Sequence, residues 1–380
     1  MVTVESVFSG RVLSGVAELV DSLANSLSKN YNVTIICPYS NSVFARTASN
    51  LRKIENDIYT CRFSAVDYYM IDSDLWFEKV AYCVEKIQPD ILHNFAEPEI
   101  IDVLHTRPKK VILTFDHAYY VRGKEEYLLL YDSVTTSSEN YAKEVLAVND
   151  TLSNVLSNIN FEGITAGILD VAFSPEKGVL ISNKYTADNQ EGKQSCKQRL
   201  IKMYGIQDNP YICLMMCRLV KEKGIEQVFD SIKTIRDTGG ILVVVGKGEH
   251  QYEQQLRKYR QSDGVVYIDR WASPVQAAPL TAGSDFYLCP SIAEVCGLMP
   301  MTASRYGAIP IVTLNGGLAD NFNNNNAIII DDKGIDDAII RASQLYVDNT
   351  LLMNKRKICM EQDFSWTSRK IGYINLYEKE

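Results

Sequence analysis

PSIAEVCGLMPMTASRYGAIPIVTLNGGLADNF, residues Pro290 to Phe322, is the stretch on which the reading of this chain turns. It follows the apolar run DFYLC (285–289), which has the composition of a buried strand and stops at Pro290 and Ser291. A loop carrying Glu294, Cys296 and Gly297 comes next. Met299 to Tyr306 then reads as a helix, with Gly307 placed to end it. The apolar run Ile309 to Thr313 predicts a short parallel strand, which leads into the turn Asn315, Gly316, Gly317. Two strand–turn–helix crossings thus lie side by side, each with glycine at its turn. Unpaired amides and the dipole of a helix N-terminus attract anions. The carboxylate of Glu294 stands among them, where it suits a polyhydroxy ligand better than a phosphate. Taken singly, each glycine could equally serve the packing of an α/β crossover, because short glycine motifs recur by chance.

Working outward, strands alternate with helices on both sides of this stretch. Strands are expected at Val2 to Phe8, Val33 to Cys37, Ile91 to Asn94, Lys110 to Thr114 and Ser133 to Thr136. Helices are expected at Val16 to Lys29 and Phe77 to Ile87, and from Glu139 onward with Ser138 as the cap. Periodicity weakens between Gly163 and Gln190, then resumes. Helices Glu191 to Tyr204, Ile225 to Arg236 and Gln251 to Arg260 are interleaved there with strands Tyr211 to Cys217, Ile241 to Val245 and Val265 to Ile268. This alternation implies parallel sheets joined by crossovers. The expected class is α/β, with two doubly wound Rossmann-like domains facing a cleft at their strand carboxyl ends. The expected segments are an N-terminal domain over 1–170, a C-terminal domain over 171–360, and a last helix over 361–380.

Composition narrows the function. The length of 380 residues suggests about two domains, and 46% hydrophobic with 23% charged residues is usual for a globular protein. A net charge of −8 and the lack of a basic-aromatic stripe disfavour nucleic acid as a partner. Nine cysteines, mostly inside apolar runs and without C-x-x-C spacing, stand beside only four histidines. They read as reduced core residues of a cytoplasmic protein, with no structural zinc. Met1 to Gly10 lacks the basic start and apolar core of a secretion signal. The apolar runs fall short of the ~20 residues that a membrane span needs.

The opening stretch resembles the donor-binding core of bacterial glycogen synthases and plant starch synthases. Their pattern P-S-x-x-E-x-C-G-L, R-Y-G-x-x-P-[IV]-V and G-G-L-x-D is met by Pro290, Ser291, Glu294, Cys296, Gly297, Leu298, Arg305, Tyr306, Gly307, Pro310, Val312, Gly316, Gly317, Leu318 and Asp320. After the strand at Tyr211, Arg218, Leu219, Lys223 and Gly224 are similar to the family's S-R-L-x-x-x-K-G, with Cys217 for the serine. Gly246 and Gly248 resemble its L-G-x-G turn, and Trp271 lies near where the family stacks an aromatic ring on the nucleobase. Gly192, Lys193, Cys196, Lys197 and Leu200 resemble its G-K-x-x-C-K-x-x-L helix. Asp363 to Trp366, with Tyr373, Leu376 and Tyr377, resembles its terminal D-F-S-W and Y-x-x-L-Y, the helix that returns to the N-terminal domain in relatives.

The first half departs from the pattern. The first-turn lysine of K-x-G-G-L-x-D is Val12, although Gly15 matches and Glu18 approximates the acid. The histidine of T-I-H-N falls on Asp116, with His117 one residue on, and N-G-I-D becomes Ala166, Gly167, Ile168, Leu169.

The resemblance implies a retaining GT-B glucosyltransferase that uses ADP-glucose or UDP-glucose, a glucan or other saccharide acceptor, and neither a cofactor nor a metal. It implies catalytic or charge-stabilising roles for Arg218, Lys223, Glu294 and His117. Donor contacts would come from Gly15, Gly246, Gly248, Trp271, Cys296, Gly297, Leu298 and Met299. Two alternatives stay open: a transferase of this fold with another donor or acceptor, as in capsule or glycolipid assembly, and a nucleotide-sugar-binding relative without transfer activity.

Overall fold

The structure is a computed structural model that describes residues 1–3, 15–39, 50–54, 58–64, 73–95, 97–168, 174–181, 183–270 and 274–379. It divides into two units, Met1–Gly167 with Ser365–Glu380, and Ile168–Phe364.

In the first unit the strands are β1 (Thr34–Tyr39), β2 (Asn50–Ile54), β3 (Ile58–Ser64), β4 (Ile91–Asn94), β5 (Lys110–Phe115), β6 (Ser133–Thr136) and β7 (Phe161–Gly163). They pair in the orders β2-β3-β1 and β4-β5-β6-β7. Val2 bridges in parallel to Ile36 of β1 and to Asn94 of β4, so the start of the chain lies between the two groups. Of the strand expected over Val2 to Phe8, only Val2 and Thr3 fall within the described residues. β2 runs antiparallel to β3, and the other pairs are parallel.

One feature of this unit was not expected from the sequence. The β2–β3 hairpin carries NLRKI and IYTCRFS, where charged residues interrupt the apolar runs that signal buried parallel strands. The last helix, Trp366–Glu378, is fixed to strands and helices of this same unit. Trp366 Nε1 donates to Ser22 Oγ at 2.7 Å, and Lys110 Nζ donates to the Leu376 carbonyl at 3.0 Å.

The second unit holds β8 (Tyr211–Met216), β9 (Gly240–Val245), β10 (Val265–Ile268), β11 (Phe286–Cys289), β12 (Ile309–Val312) and β13 (Ile328–Ile329). All its pairs are parallel, in the order β10-β9-β8-β11-β12-β13. Renumbered within the unit, this is 3-2-1-4-5-6, the doubly wound order of dinucleotide-binding sheets. β8 (YICLMM) and β9 (GILVVV) are buried along their whole length, as continuous apolar runs in a sheet covered on both faces should be. The helix Ile225–Asp237 covers one face with Ile225, Val228, Ile232 and Ile235, which meet Cys213, Leu242, Val244 and Phe286 in one core. The helix Pro274–Gly283 lacks such a stripe and contains Pro279, which hid it from a reading of periodicity. Among the described residues no helix is long and apolar enough to cross a membrane.

Candidate active site

The strand order of the second unit reverses between β8 and β11, which are hydrogen-bonded neighbours. Loops leaving adjacent strands in opposite directions part there, and such sheets place ligands at the opening, outside the strand carboxyl ends. The loop after β8 carries Arg218 and Lys223, and the loop after β11 carries Ser291 and Glu294.

Backbone bonds join the two loops. The Ile292 and Ala293 amides donate to the Glu222 carbonyl at 2.8 and 3.3 Å. Lys223 Nζ consequently meets Glu294 Oε2 at 2.7 Å, with side-chain exposures of 18% and 16%. Ser291 Oγ donates to the same carboxylate oxygen at 3.0 Å. Burial alone would lower the Lys223 pKa, but the facing Glu294 carboxylate overrides it and holds the ammonium above the usual lysine value. Lys223 is therefore charged at neutral pH. Arg218, on the same loop as Lys223, is exposed.

Burial pushes both neighbouring thiols, Cys217 and Cys289, up to about 12, with the Glu294 carboxylate adding to the effect on each. They remain protonated at neutral pH, where a thiol is a poor nucleophile. Neither of these two sulfurs is a candidate for covalent chemistry.

Gly297, Leu298 and Met299 form the start of the helix Leu298–Arg305. Gly297 caps it at φ 78°, a left-handed conformation that glycine adopts without steric cost. The amides of Leu298 and Met299 lie in the first turn, where a helix offers no backbone acceptor. The Cys296 carbonyl backs onto Gly317, where a Cβ would come within 2.3 Å of that oxygen. The next loop completes the frame, because Thr313 Oγ1 and Asn315 Nδ2 both donate to the Ser291 carbonyl at 2.6 Å.

The amides of Gly246 and Gly248 are both taken up within the protein. The Gly246 amide donates to the Ile268 carbonyl at 3.3 Å, and the Gly248 amide to Glu253 Oε1 at 3.0 Å. A Cβ at either glycine would strike a carbonyl of the loop after β8, at Cys217 or Leu219, at 2.1 Å. Glycine is demanded here by two protein loops zipped together, whatever else approaches them.

Trp271, Val12, Arg11 and Leu169 lie outside the described residues. Gly15 opens the helix Gly15–Leu27 of the first unit. His117, also in the first unit, follows β5 and caps a short turn, its Nδ1 accepting from the Tyr119 amide at 3.3 Å. Arg218, Lys223, Glu294 and residues 297–299 are thus gathered in one unit, while Gly15 and His117 belong to the other. Among the described residues no three His, Cys, Asp or Glu side chains gather as metal ligands. A cavity of about 270 Å³ beside the helices Glu191–Tyr204 and Pro274–Gly283 is lined by Ile181, Cys196, Leu200 and Leu280 among others, and by none of the expected site residues.

The hydroxyl of Ser291 and the amide of Asn315 were not singled out by sequence. Ser291 stands three residues before Glu294, the same S-x-x-E spacing that brings the two side chains together in a capping box. That signal was present. Asn315 offers none of its own.

The chain is similar to known glycosyltransferases in sequence and fold. Residues 197–363 match the family model of glycosyl transferases group 1. The chain is 31% identical over 274 residues to a glycogen synthase of Lactococcus lactis, covering 66% of this chain and 56% of that protein. It is 32% identical over 257 residues to a glycogen synthase of Thermodesulfovibrio yellowstonii, covering 65% and 52%. The chain thus spans little more than half the length of these relatives. Among solved structures, the catalytic domain of starch synthase IV from Arabidopsis thaliana, bound to ADP and acarbose, superposes with a TM-score of 0.84 at 21% identity, covering 97% of this chain and 96% of that one. Residues 197–363 thus match the glycosyl transferases group 1 family, the chain is similar in sequence to glycogen synthases, and its fold is the GT-B fold.

Proposed function

We propose that the chain is a retaining glucosyltransferase that moves glucose from ADP-glucose or UDP-glucose to a hydroxyl of a saccharide. The observation that carries this is the meeting of Lys223 and Glu294 at the switch point of the sheet, with Arg218 on the same loop as Lys223. As the donor breaks, negative charge grows on the departing diphosphate. Two cations and the first-turn amides of Leu298 and Met299 are fixed groups of the sign needed to stabilise it. Glu294 accepts hydrogen bonds from the glucose hydroxyls while Ser291 keeps its carboxylate in place. Because one Glu294 oxygen already serves both Lys223 and Ser291, the carboxylate is suited to orienting the sugar rather than attacking it. With the diphosphate neutralised by side chains and amides, a divalent ion is supplementary. The protonated thiols of the second unit fit a reducing cytoplasm.

The acceptor half of the reaction differs from that of glycogen synthases in the sequence at Val12, Asp116 and Ala166. Removal of one positioned catalytic donor costs about 10²–10³ in rate, so we infer slow elongation of glycogen and a preference for a shorter acceptor. The test is a radiolabelled panel of ADP-glucose, UDP-glucose and other sugar nucleotides against glycogen, short α-glucans and lipid extracts, with and without EDTA. Glucose transfer to a saccharide that survives EDTA is the expected result. Transfer only from a non-glucose donor, or donor binding with no transfer to any acceptor, would overturn the assignment.

A further inference from the structure

The loop that carries Glu294 is held from both flanks, and one flank consists of side chains that take no part in the donor chemistry. The β11–β12 ladder runs from Phe286 and Ile309 to Cys289 and Val312 and stops there. Pro290, the next residue, has no amide with which to continue it. Side chains then take over the pairing. Thr313 Oγ1 and Asn315 Nδ2 each donate to the Ser291 carbonyl at 2.6 Å, and Asn315 Nδ2 also donates to Thr313 Oγ1 at 3.1 Å. One hydroxyl proton and two amide protons supply all three bonds.

The same loop reaches Glu294 itself. The Gly317 amide donates to the Glu294 carbonyl at 3.0 Å and to the Val295 carbonyl at 3.1 Å. Ser291 is buried, and its two oxygens serve in opposite senses. The carbonyl is held by Thr313 and Asn315, while the hydroxyl donates to Glu294 Oε2 at 3.0 Å. A fixed carbonyl on one side of Ser291 is thereby converted into a fixed carboxylate on the other.

The two flanks differ in what else they carry. The Glu222 carbonyl, which accepts from Ile292 and Ala293, is followed directly by Lys223, a cation of the site. Thr313 and Asn315 are neutral, so they add no charge with which to bind or stabilise a diphosphate. Their influence is confined to where the Glu294 carboxylate stands. A misplacement of about 1 Å in a group that orients a substrate can cost on the order of 10² in rate.

Resting on the transferase reading above, we propose that Thr313 and Asn315 are positioning residues for Glu294. Acting through Ser291, they set where its carboxylate meets the glucosyl hydroxyls. They govern the rate at which the glucosyl group leaves the donor, without contributing to the binding of the diphosphate.

The test compares the wild-type chain with the double variant Thr313→Val/Asn315→Leu, which keeps side-chain bulk and removes both side-chain donors to the Ser291 carbonyl. Calorimetric titration with ADP and UDP should give affinities within about twofold of wild type, while kcat with ADP-glucose or UDP-glucose falls by about tenfold or more. Thr313→Ser keeps the hydroxyl and should keep the wild-type rate. Thr313→Val alone leaves the Asn315 amide in place and should lower kcat by about threefold, which serves as the test should the double variant fail to fold. Wild-type kcat in the double variant, or in Thr313→Val where only that variant folds, overturns the assignment. So does a loss of ADP affinity in step with kcat, because general support of the loop would then be the whole effect. The ratio of ADP-glucose to ADP affinity reads the same contact without turnover. A ratio altered in the double variant, in a chain that transfers glucose to no acceptor, would keep the positioning role and remove the transferase reading. Transfer at equal rates by wild type and double variant would do the reverse.

Discussion

Lys223 stands where two demands meet. It lies opposite Glu294 at 2.7 Å, yet in the proposed reaction it also neutralises a diphosphate. Arg218 has no such duty, being exposed at the mouth of the same loop. The two cations should therefore differ on substitution. Each charge-assisted contact to phosphate is worth on the order of 1.5–3 kcal/mol, so Arg218→Ala and Lys223→Ala should each weaken nucleoside diphosphate binding roughly tenfold or more. Lys223→Ala additionally leaves Glu294 with only the neutral donors Ser291 Oγ and, at 3.9 Å, Cys289 Sγ among the described residues, and should lower the melting temperature where Arg218→Ala does not. Titration with ADP and UDP, alongside thermal melting, separates the two effects. Equal affinity in wild type and both variants would show that the diphosphate binds elsewhere. Both residues were legible in the sequence as motif positions. Their geometry was not, because Lys223 and Glu294 are 71 residues apart and meet only through the strand order β8-β11.

At the scale of elements, the helix Glu191–Tyr204 is fixed by a lysine that points inward. Lys193 Nζ donates to three carbonyls, of Ala282, Ser284 and Tyr306, at 3.1, 2.8 and 2.8 Å. Burial, with Arg356 nearby, drives its pKa well below that of a free lysine despite Asp285. These carbonyls end the helices Pro274–Gly283 and Leu298–Arg305, so one side chain ties three helices together. Tyr185 also donates to the Tyr306 carbonyl, at 2.8 Å, so a Lys193→Met change removes this donor chiefly from the other two. An unsatisfied buried acceptor costs about 1–3 kcal/mol, and urea unfolding of Lys193→Met should show a loss of roughly 2–4 kcal/mol. A loss under about 0.5 kcal/mol, the range of ordinary surface changes, would mean that the carbonyls find other donors. The elements themselves differ in how well sequence announced them. β8, β9, β11 and β12 are short apolar runs bounded by turns, and they were readable. The β2–β3 hairpin and the helix Pro274–Gly283 were not, the first for its interspersed charges and the second for Pro279 and its missing polar face. The glycines at 246 and 248 were readable as a tight turn, but their residue type alone cannot announce that their amides are occupied within the protein.

At the scale of the whole molecule, the first unit is keyed by a buried histidine. His93 Nδ1 lies 2.7 Å from the Tyr377 hydroxyl, and Nε2 lies 2.6 Å from Thr114 Oγ1, which continues to Thr135 at 2.5 Å. Its ring stacks on Phe95 at 4.1 Å. Burial first, and the N-terminal ammonium second, drive its pKa well below 6.5. The folded chain then keeps His93 neutral at a pH where the unfolded chain protonates it. The unfolded state binds more protons, so stability falls as pH drops below about 6.5, by up to about 1.4 kcal/mol per pH unit. Urea midpoints measured at pH 7.5 and pH 5.5 should show this fall, and His93→Gln should flatten it. An identical slope in the variant would assign the acid sensitivity to the carboxylates instead. Tyr377, the partner of His93, comes from the last helix, and that helix groups with residues 1–167 although the second unit separates the two in sequence. This arrangement sets an order on biosynthesis. Residues 168–364 form one uninterrupted segment and can close their sheet as soon as they leave the ribosome. The unit made first must wait until Trp366 and Tyr377, which meet Ser22 and His93, have been translated. The earliest part of the chain to emerge is thus the last to mature, and over that interval its unfinished surface is what a chaperone would meet.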